Sequence, residues 1–167
     1  LKDFFYITVS TGIGGSAVIN KKVLNSDKKI VGQIGHTVIK YNGKICGCGR
    51  NGCLEAYSSG TAIEKKINKK LKFNLKLKEI IKEHIKNKFV IKSLDEAALA
   101  LSESIINIHN ILGIKNFIIG GSVGLNNIVF KKVKFFVFKK NTEIKLIKAG
   151  LKNDAEIYGC LAYSKFN

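Results

Sequence analysis

The segment CGCGRNGC constrains this chain more than any other, because it places three of the four cysteines between positions 46 and 53. Cys46 and Cys48, separated by one residue, are too close for a relaxed mutual disulfide. Metal ligation is the better reading of such a cluster. With His36 upstream, Cys46, Cys48 and Cys53 complete a Cys3His set, a common tetrahedral environment for structural zinc. Gly47, Gly49 and Gly52 allow the backbone to fold tightly enough to bring Cys53 back to the other thiols. An iron–sulfur group, or three reduced and reactive thiols on a loop, are the alternatives. A closed set of four protein ligands leaves no position for a metal-bound water, so a zinc ion here is expected to be structural rather than hydrolytic.

Composition narrows the setting. The chain is 46% apolar, yet no apolar run approaches the roughly 18 residues of a membrane span, and no secretory signal pattern is present. We expect a cytoplasmic globular protein with residues 1–167 forming a single domain. The sequence starts at Leu1 and contains no methionine, which leads us to expect a fragment or a truncated reading frame. The net charge of +17 raises the question of a nucleic-acid partner. Against it, Arg50 is the only arginine, and bidentate recognition of phosphates and bases favours the guanidinium fork. The lysines are widely spread and read as solvated faces, although their field can attract a nucleotide's phosphates.

Along the chain, Phe4–Ser10 reads as a buried strand. A glycine-rich TGIGG turn follows it, and Ala17–Ile19 then reads as a return strand. Thr37–Tyr41 forms a second apolar segment ending at Asn42-Gly43, a strong turn signal. Leu54 to about Lys72 and Leu75–Lys88 are expected helices. Ser93 and Glu96 suggest a capping box at the start of the best helix, whose stripe is Leu101, Ile105, Ile108 and Leu112. Asn116–Ile119 reads as a strand running into Gly120-Gly121, Lys132–Lys148 as strand-like, and Ala155–Lys165 as a last helix. This order is an α/β or α+β domain.

The motifs GQIGH (32–36), CGCGRNGCLEAYSSGTAI (46–63), TGIGG (11–15) and IIGGSVG (118–124) together resemble the ROK family of bacterial sugar kinases and repressors, over essentially the whole chain matched to the family's C-terminal half. The resemblance implies an α/β fold of the actin-like, ribonuclease-H-like sugar kinase type, here its C-terminal lobe with a zinc-binding loop. It also implies ATP with Mg²⁺, a hexose or N-acetylhexosamine substrate, and a homodimer. Carried over by motif, His36 binds zinc through one ring nitrogen and faces the sugar with the other, and Glu55 is a sugar-binding carboxylate able to accept from two hydroxyls. Read by itself, Glu55 is an acidic residue at a helix start. Gln33 stands where the family carries a glutamate, which removes a charge from the sugar contact. Thr11, Gly12, Gly14 and Gly15 match a phosphate cradle, and Gly120 and Gly121 match the adenosine-side loop.

The family's general base, an aspartate in an Asn-Asp-Ala segment, precedes the matched region, so no catalytic residue is expected in this chain and the isolated polypeptide should not turn over sugar. Asn153-Asp154-Ala155 repeats those residue types but matches a different family segment, where Asp154 reads as a helix N-cap. The expected function is thus the C-terminal half of an ATP-dependent hexose or amino-sugar kinase, of the glucokinase or N-acetylmannosamine kinase type. The alternatives are the effector domain of a sugar-responsive repressor and a non-catalytic zinc and oligomerisation module. Cys160 is expected to be a small buried residue.

Overall fold

The computed structural model of the chain describes residues 1–25 and 31–151. Its sheet is built around β1 (Phe4–Val9), whose alternation buries Phe5, Ile7 and Val9. On one side β1 pairs antiparallel with β2 (Ile13–Ile19), in the register Phe4↔Val18 to Val9↔Ile13, and β2 continues into the short β3 (Lys22–Val23). On the other side β1 pairs parallel with β4 (Asn116–Gly120), and β4 with β5 (Lys145–Lys148), giving the order β3-β2-β1-β4-β5. Parallel neighbours require crossovers. The β1-to-β4 connection includes the loop with His36, Cys46, Cys48 and Cys53 and four helices: α1 (Glu55–Ser58), α2 (Gly60–Leu71), α3 (Leu77–His84) and α4 (Lys88–Leu112). The β4-to-β5 connection is a single helix, α5 (Asn127–Lys140), packed against α4.

Helix α4 starts six residues earlier than the Ser93–Glu96 pattern suggests. Asn87 is its cap, accepting from the Phe89 and Val90 N–H groups, and Ser93 is buried inside the helix. The apolar stripe extends upstream through Val90 and Leu94, and the burial of that extra turn outweighs a capping signal that local sequence offers at Ser93. The expected stripe is otherwise as read, with Leu101, Ile105 and Ile108 buried and Leu112 partly so, and Gly113 closes the helix in the left-handed region at φ 67°.

Lys132–Lys148 is not strand-like as a whole. Val129, Val133 and Val137 recur every four residues and are the buried face of α5, so β-branched residues that favour strands are held in a helix by packing. Strand geometry begins only at Lys145. Lys132 reaches Asp95 at 2.5 Å and Lys140 pairs with Glu103, tying α5 to α4 at its surface. The apolar segment Thr37–Tyr41 pairs through the single bridge Val38↔Cys53. The expected helix from Leu54 to Lys72 is two helices, because Ser59 is extended and its hydroxyl accepts from the Ala62 N–H to start α2 afresh. The expected last helix, Asn153-Asp154-Ala155 and Cys160 lie outside the described residues.

Ile105 is fully buried and Ile111, on the same helix, is 78% exposed. Ile105→Ala is therefore expected to cost about 2–5 kcal/mol in urea unfolding, against less than about 0.5 kcal/mol for Ile111→Ala. Equal effects would contradict the placement of α4.

Candidate functional site

The loop that carries His36 and the three cysteines is seated by close backbone contacts. Gly32, at φ 91°, lies so near β2 that a Cβ would come within 1.9 Å of the Gly15 carbonyl oxygen, and a Cβ at Gly35 would come within 2.3 Å of the Ile13 carbonyl. With buried Ile34 between them, these glycines fix a single 3-10 turn, Ile34–His36, that carries the imidazole. Beyond it the chain doubles back through the bridges Val38↔Cys53 and Ile45↔Asn51. Gly49 and Gly52 have φ of 84° and 82°, and the place of a Gly52 side chain is taken by the Lys40 carbonyl. Of the three loop glycines singled out in the sequence, Gly47 alone has neither a left-handed backbone nor a crowded Cβ.

The loop brings together the four residues that the sequence singles out. One ligand atom each from His36, Cys46, Cys48 and Cys53 lie within 4.8 Å of one another. The Cys46 Sγ is 3.7 Å from the His36 Nδ1, and the Cys48 and Cys53 sulfurs are 3.7 Å apart. A disulfide needs about 2.05 Å, whereas two thiolates at about 2.3 Å from one tetrahedral zinc stand roughly 3.8 Å apart. Cys46 and Cys53 are buried and Cys48 is exposed. Their thiols differ accordingly. Hydrogen bonding from the Arg50 backbone, with help from its guanidinium, holds the Cys48 thiol down at about 6, while burial pushes Cys53 up to about 11.

Glu55 follows directly from this loop, at the start of α1. Its Oε2 accepts from the Ile13 N–H at 2.8 Å and lies where a Cβ on Gly12 would come within 2.7 Å. The carboxylate is therefore wedged beneath the β1–β2 turn. It lines a cleft of about 690 Å³ shared with Cys46, Gly47, Thr11 and Thr61. Gln33 is exposed at the head of the 3-10 turn, and neither it nor His36 lines that cleft.

The glycines of TGIGG divide between two roles. Thr11 and Gly12 form the turn, whereas Gly14 and Gly15 are in β2 opposite Thr8 and Ile7. A Cβ on Gly15 would strike the Phe5 ring at 2.5 Å, so its small size serves the packing of the hairpin. Gly120 makes room for the Tyr6 hydroxyl, and Gly121, at φ 80°, for the Val9 backbone. A second cavity of about 560 Å³ lies alongside, reached by Ser10, Thr11, Thr61, Ser122 and Asn126 rather than by Gly120 or Gly121. Ser10 and Ser122 hydroxyls are 3.1 Å apart, joining the two glycine loops. Ser10, Thr61 and Ser122 escape a motif reading centred on glycine, whereas Thr11 is part of it. The signal was their position, each directly flanking a glycine turn or a cap.

Known proteins match both sequence and fold. The ROK family model matches residues 1–165. The N-acetylmannosamine kinase of Haemophilus influenzae (strain PittEE) is 37% identical over 170 residues, covering 99% of this chain and 56% of that protein. The ROK hexokinase of Thermus thermophilus superposes with a TM-score of 0.90 at 24% identity, over 99% of this chain and 60% of that one. A ROK family glucokinase from Streptomyces griseus, solved with glucose and AMPPNP, gives 0.81 at 20% identity over 99% and 61%. This chain thus has the α/β fold of ROK sugar kinase structures and spans about half the length of the curated relatives it matches.

The unequal thiols predict an order of reaction. In metal-free protein, Cys48 should be alkylated by iodoacetamide well before Cys53, with a rate that rises with pH and reaches half its plateau near pH 6 as the thiolate forms. Peptide mapping after a short pulse at pH 7 checks this, and first modification at Cys53 would contradict it.

Proposed function

This chain belongs to the ROK family, and on that basis we propose that it is the sugar-binding half of an ATP-dependent hexose or N-acetylhexosamine kinase, shaped by a structural zinc ion. The observation that carries this reading is the convergence of one imidazole and three thiol groups beside Glu55. The donor set fits zinc in chemistry and in spacing, and its four members leave no protein-free position. Zinc bound there would hold the loop in shape. With His36 Nδ1 turned toward Cys46, Nε2 is left for a sugar hydroxyl, and metal ligation fixes that tautomer.

Glu55 adds a carboxylate acceptor. Its Oε2 already takes the Ile13 N–H, and Oε1 has no protein partner among the described residues, so it can accept from a hydroxyl. Gln33 supplies a neutral amide where a carboxylate is usual, which gives this contact a donor as well as an acceptor. Ser10, Thr11 and Ser122 line the cavity that would meet the phosphates of ATP with its Mg²⁺, with Gly12 next to Thr11 in the turn. The 37% identity to an N-acetylmannosamine kinase supports an amino sugar over glucose. We assign no general base within this chain. Because the chain spans about half of its relatives, sugar binding is proposed for these residues and phosphoryl transfer for an assembly that includes the remaining length. None of the described helices is long and apolar enough to cross a membrane, and reduced zinc-binding thiols suit the cytoplasm.

The test combines metal analysis with calorimetric titration of N-acetylmannosamine and glucose. The purified chain should carry one zinc, and Cys48→Ala should lose it and become sensitive to proteolysis within the loop. Glu55→Gln should keep its zinc while binding sugar about tenfold more weakly, as expected for loss of a charged hydrogen bond. Unchanged zinc in Cys48→Ala, or unchanged sugar affinity in Glu55→Gln, would overturn the corresponding assignment.

A further inference from the structure

The three thiols of the Cys/His loop are held very differently. Cys46 and Cys53 are buried, whereas Cys48 is exposed in a turn whose residues 47–51 all face solvent. A side chain at Gly47 or Gly49 would meet nothing within 4 Å, so both neighbours of Cys48 border open space. The turn is closed by the Cys46 N–H on the Arg50 carbonyl at 2.8 Å and the Gly49 N–H on the Cys46 carbonyl at 3.0 Å. Neither bond uses the backbone of Cys48.

Cys53 is the opposite case. It is fully buried and bridged to Val38, and the next residue, Leu54, donates its N–H to the Thr37 carbonyl at 3.0 Å. Its sulfur lies 3.7 Å from that of Cys48, so an accessible, lightly held thiol faces a fixed and sheltered one. The Arg50 guanidinium donates to the His36 carbonyl at 2.5 Å, which keeps the turn beside Cys53. Cys46 is the poorer partner for Cys48. Only one residue separates the two, and the Cys46 sulfur already lies against the His36 Nδ1 at 3.7 Å.

We infer that Cys48 and Cys53 are a site of reversible oxidation, joined as a disulfide by a hydroperoxide. The Cys48 sulfur attacks a peroxide oxygen, the O–O bond breaks, and Cys48 becomes a sulfenic acid as water or an alcohol leaves. The Cys53 sulfur then attacks the Cys48 sulfur, forming S–S and breaking S–O, and water leaves. The thiols lose two electrons and two protons, and the hydroperoxide takes them up. The sulfurs must close from 3.7 Å to about 2.05 Å, and the open space at Gly47 and Gly49 lets Cys48 make that movement. This gives Gly47 a role that neither a left-handed backbone nor crowding supplies. The bridge itself needs no ion, but its consequence rests on the zinc reading. With Cys48 and Cys53 joined, only His36 and Cys46 remain of the four donors, so the ion is released.

The test is mass-spectrometric peptide mapping of the chain, without reduction, after treatment with hydrogen peroxide. Zinc-loaded and chelator-stripped protein are treated alike, and released zinc is followed with a chromogenic chelator. Tryptic cleavage at Arg50 separates Cys48 from Cys53, so the bridge appears as a joined pair of peptides lighter by two hydrogens than their sum. The expected result is that pair with Cys46 still open to alkylation, loss of one zinc per chain, and reversal of the bridge by dithiothreitol. Cys48→Ser should form no such pair, and Cys160→Ser should form it as the parent does. Bridging through Cys46 or Cys160, or conversion of Cys48 to a sulfinic acid while Cys53 stays open to alkylation, would overturn the inference. A bridge in protein purified without zinc counts against the zinc reading alone, whereas bound zinc with no bridge after peroxide counts against this inference alone.

Discussion

Five residues at the end of the first hairpin, Val9 to Ile13, hold the functional half of this molecule together through their backbone. The Val9 carbonyl accepts from the Val123 and Gly124 N–H groups, bringing in the loop after β4. The Ser10 carbonyl accepts from Gly60 at 2.7 Å, setting the start of α2. The Ile13 N–H holds the Glu55 carboxylate, and its carbonyl is the surface against which Gly35 lies. Four segments distant in sequence therefore meet at one turn, and each glycine among them is required because a side chain would occupy the space of a backbone atom. Such contacts tolerate little displacement, so the turn works as a template for whatever binds around it.

That template explains why the Cys/His loop has the form it does. The thiols and the imidazole come from two stretches with little regular structure, joined by isolated bridges rather than by a ladder. A loop with so few ladder bonds and so many glycines has little intrinsic order. The Gly32–Gly35 contact anchors one end and buried Leu54 the other, and the proposed ion, held by four side chains, would supply the remaining constraint. Glu55 follows that anchor directly, so loop order and carboxylate position are coupled through two residues of chain.

What could be read from residues alone follows the same physics. The grouping of His36, Cys46, Cys48 and Cys53 was legible because thiols and imidazole in that spacing have few other uses. Strands β1 and β4 were legible because their apolar runs end at glycine turns. The structure departs where tertiary packing overrides a local signal. Helix α5 hides a four-residue valine spacing among phenylalanines and lysines, and Asn87 caps α4 in place of Ser93. The glycines of TGIGG and Gly120-Gly121 were visible as motifs, but the partners that fill the missing side-chain space of Gly15, Gly120 and Gly121, namely Phe5, Tyr6 and Val9, come from β1, whose proximity no local pattern reveals.

The central claim is that one zinc ion is held by His36, Cys46, Cys48 and Cys53. X-ray absorption at the zinc edge of the purified chain tests it most directly. The account predicts a shell of three sulfurs at about 2.3 Å and one nitrogen at about 2.0 Å. A shell made only of oxygen and nitrogen, or protein that folds fully with no metal bound, would contradict it.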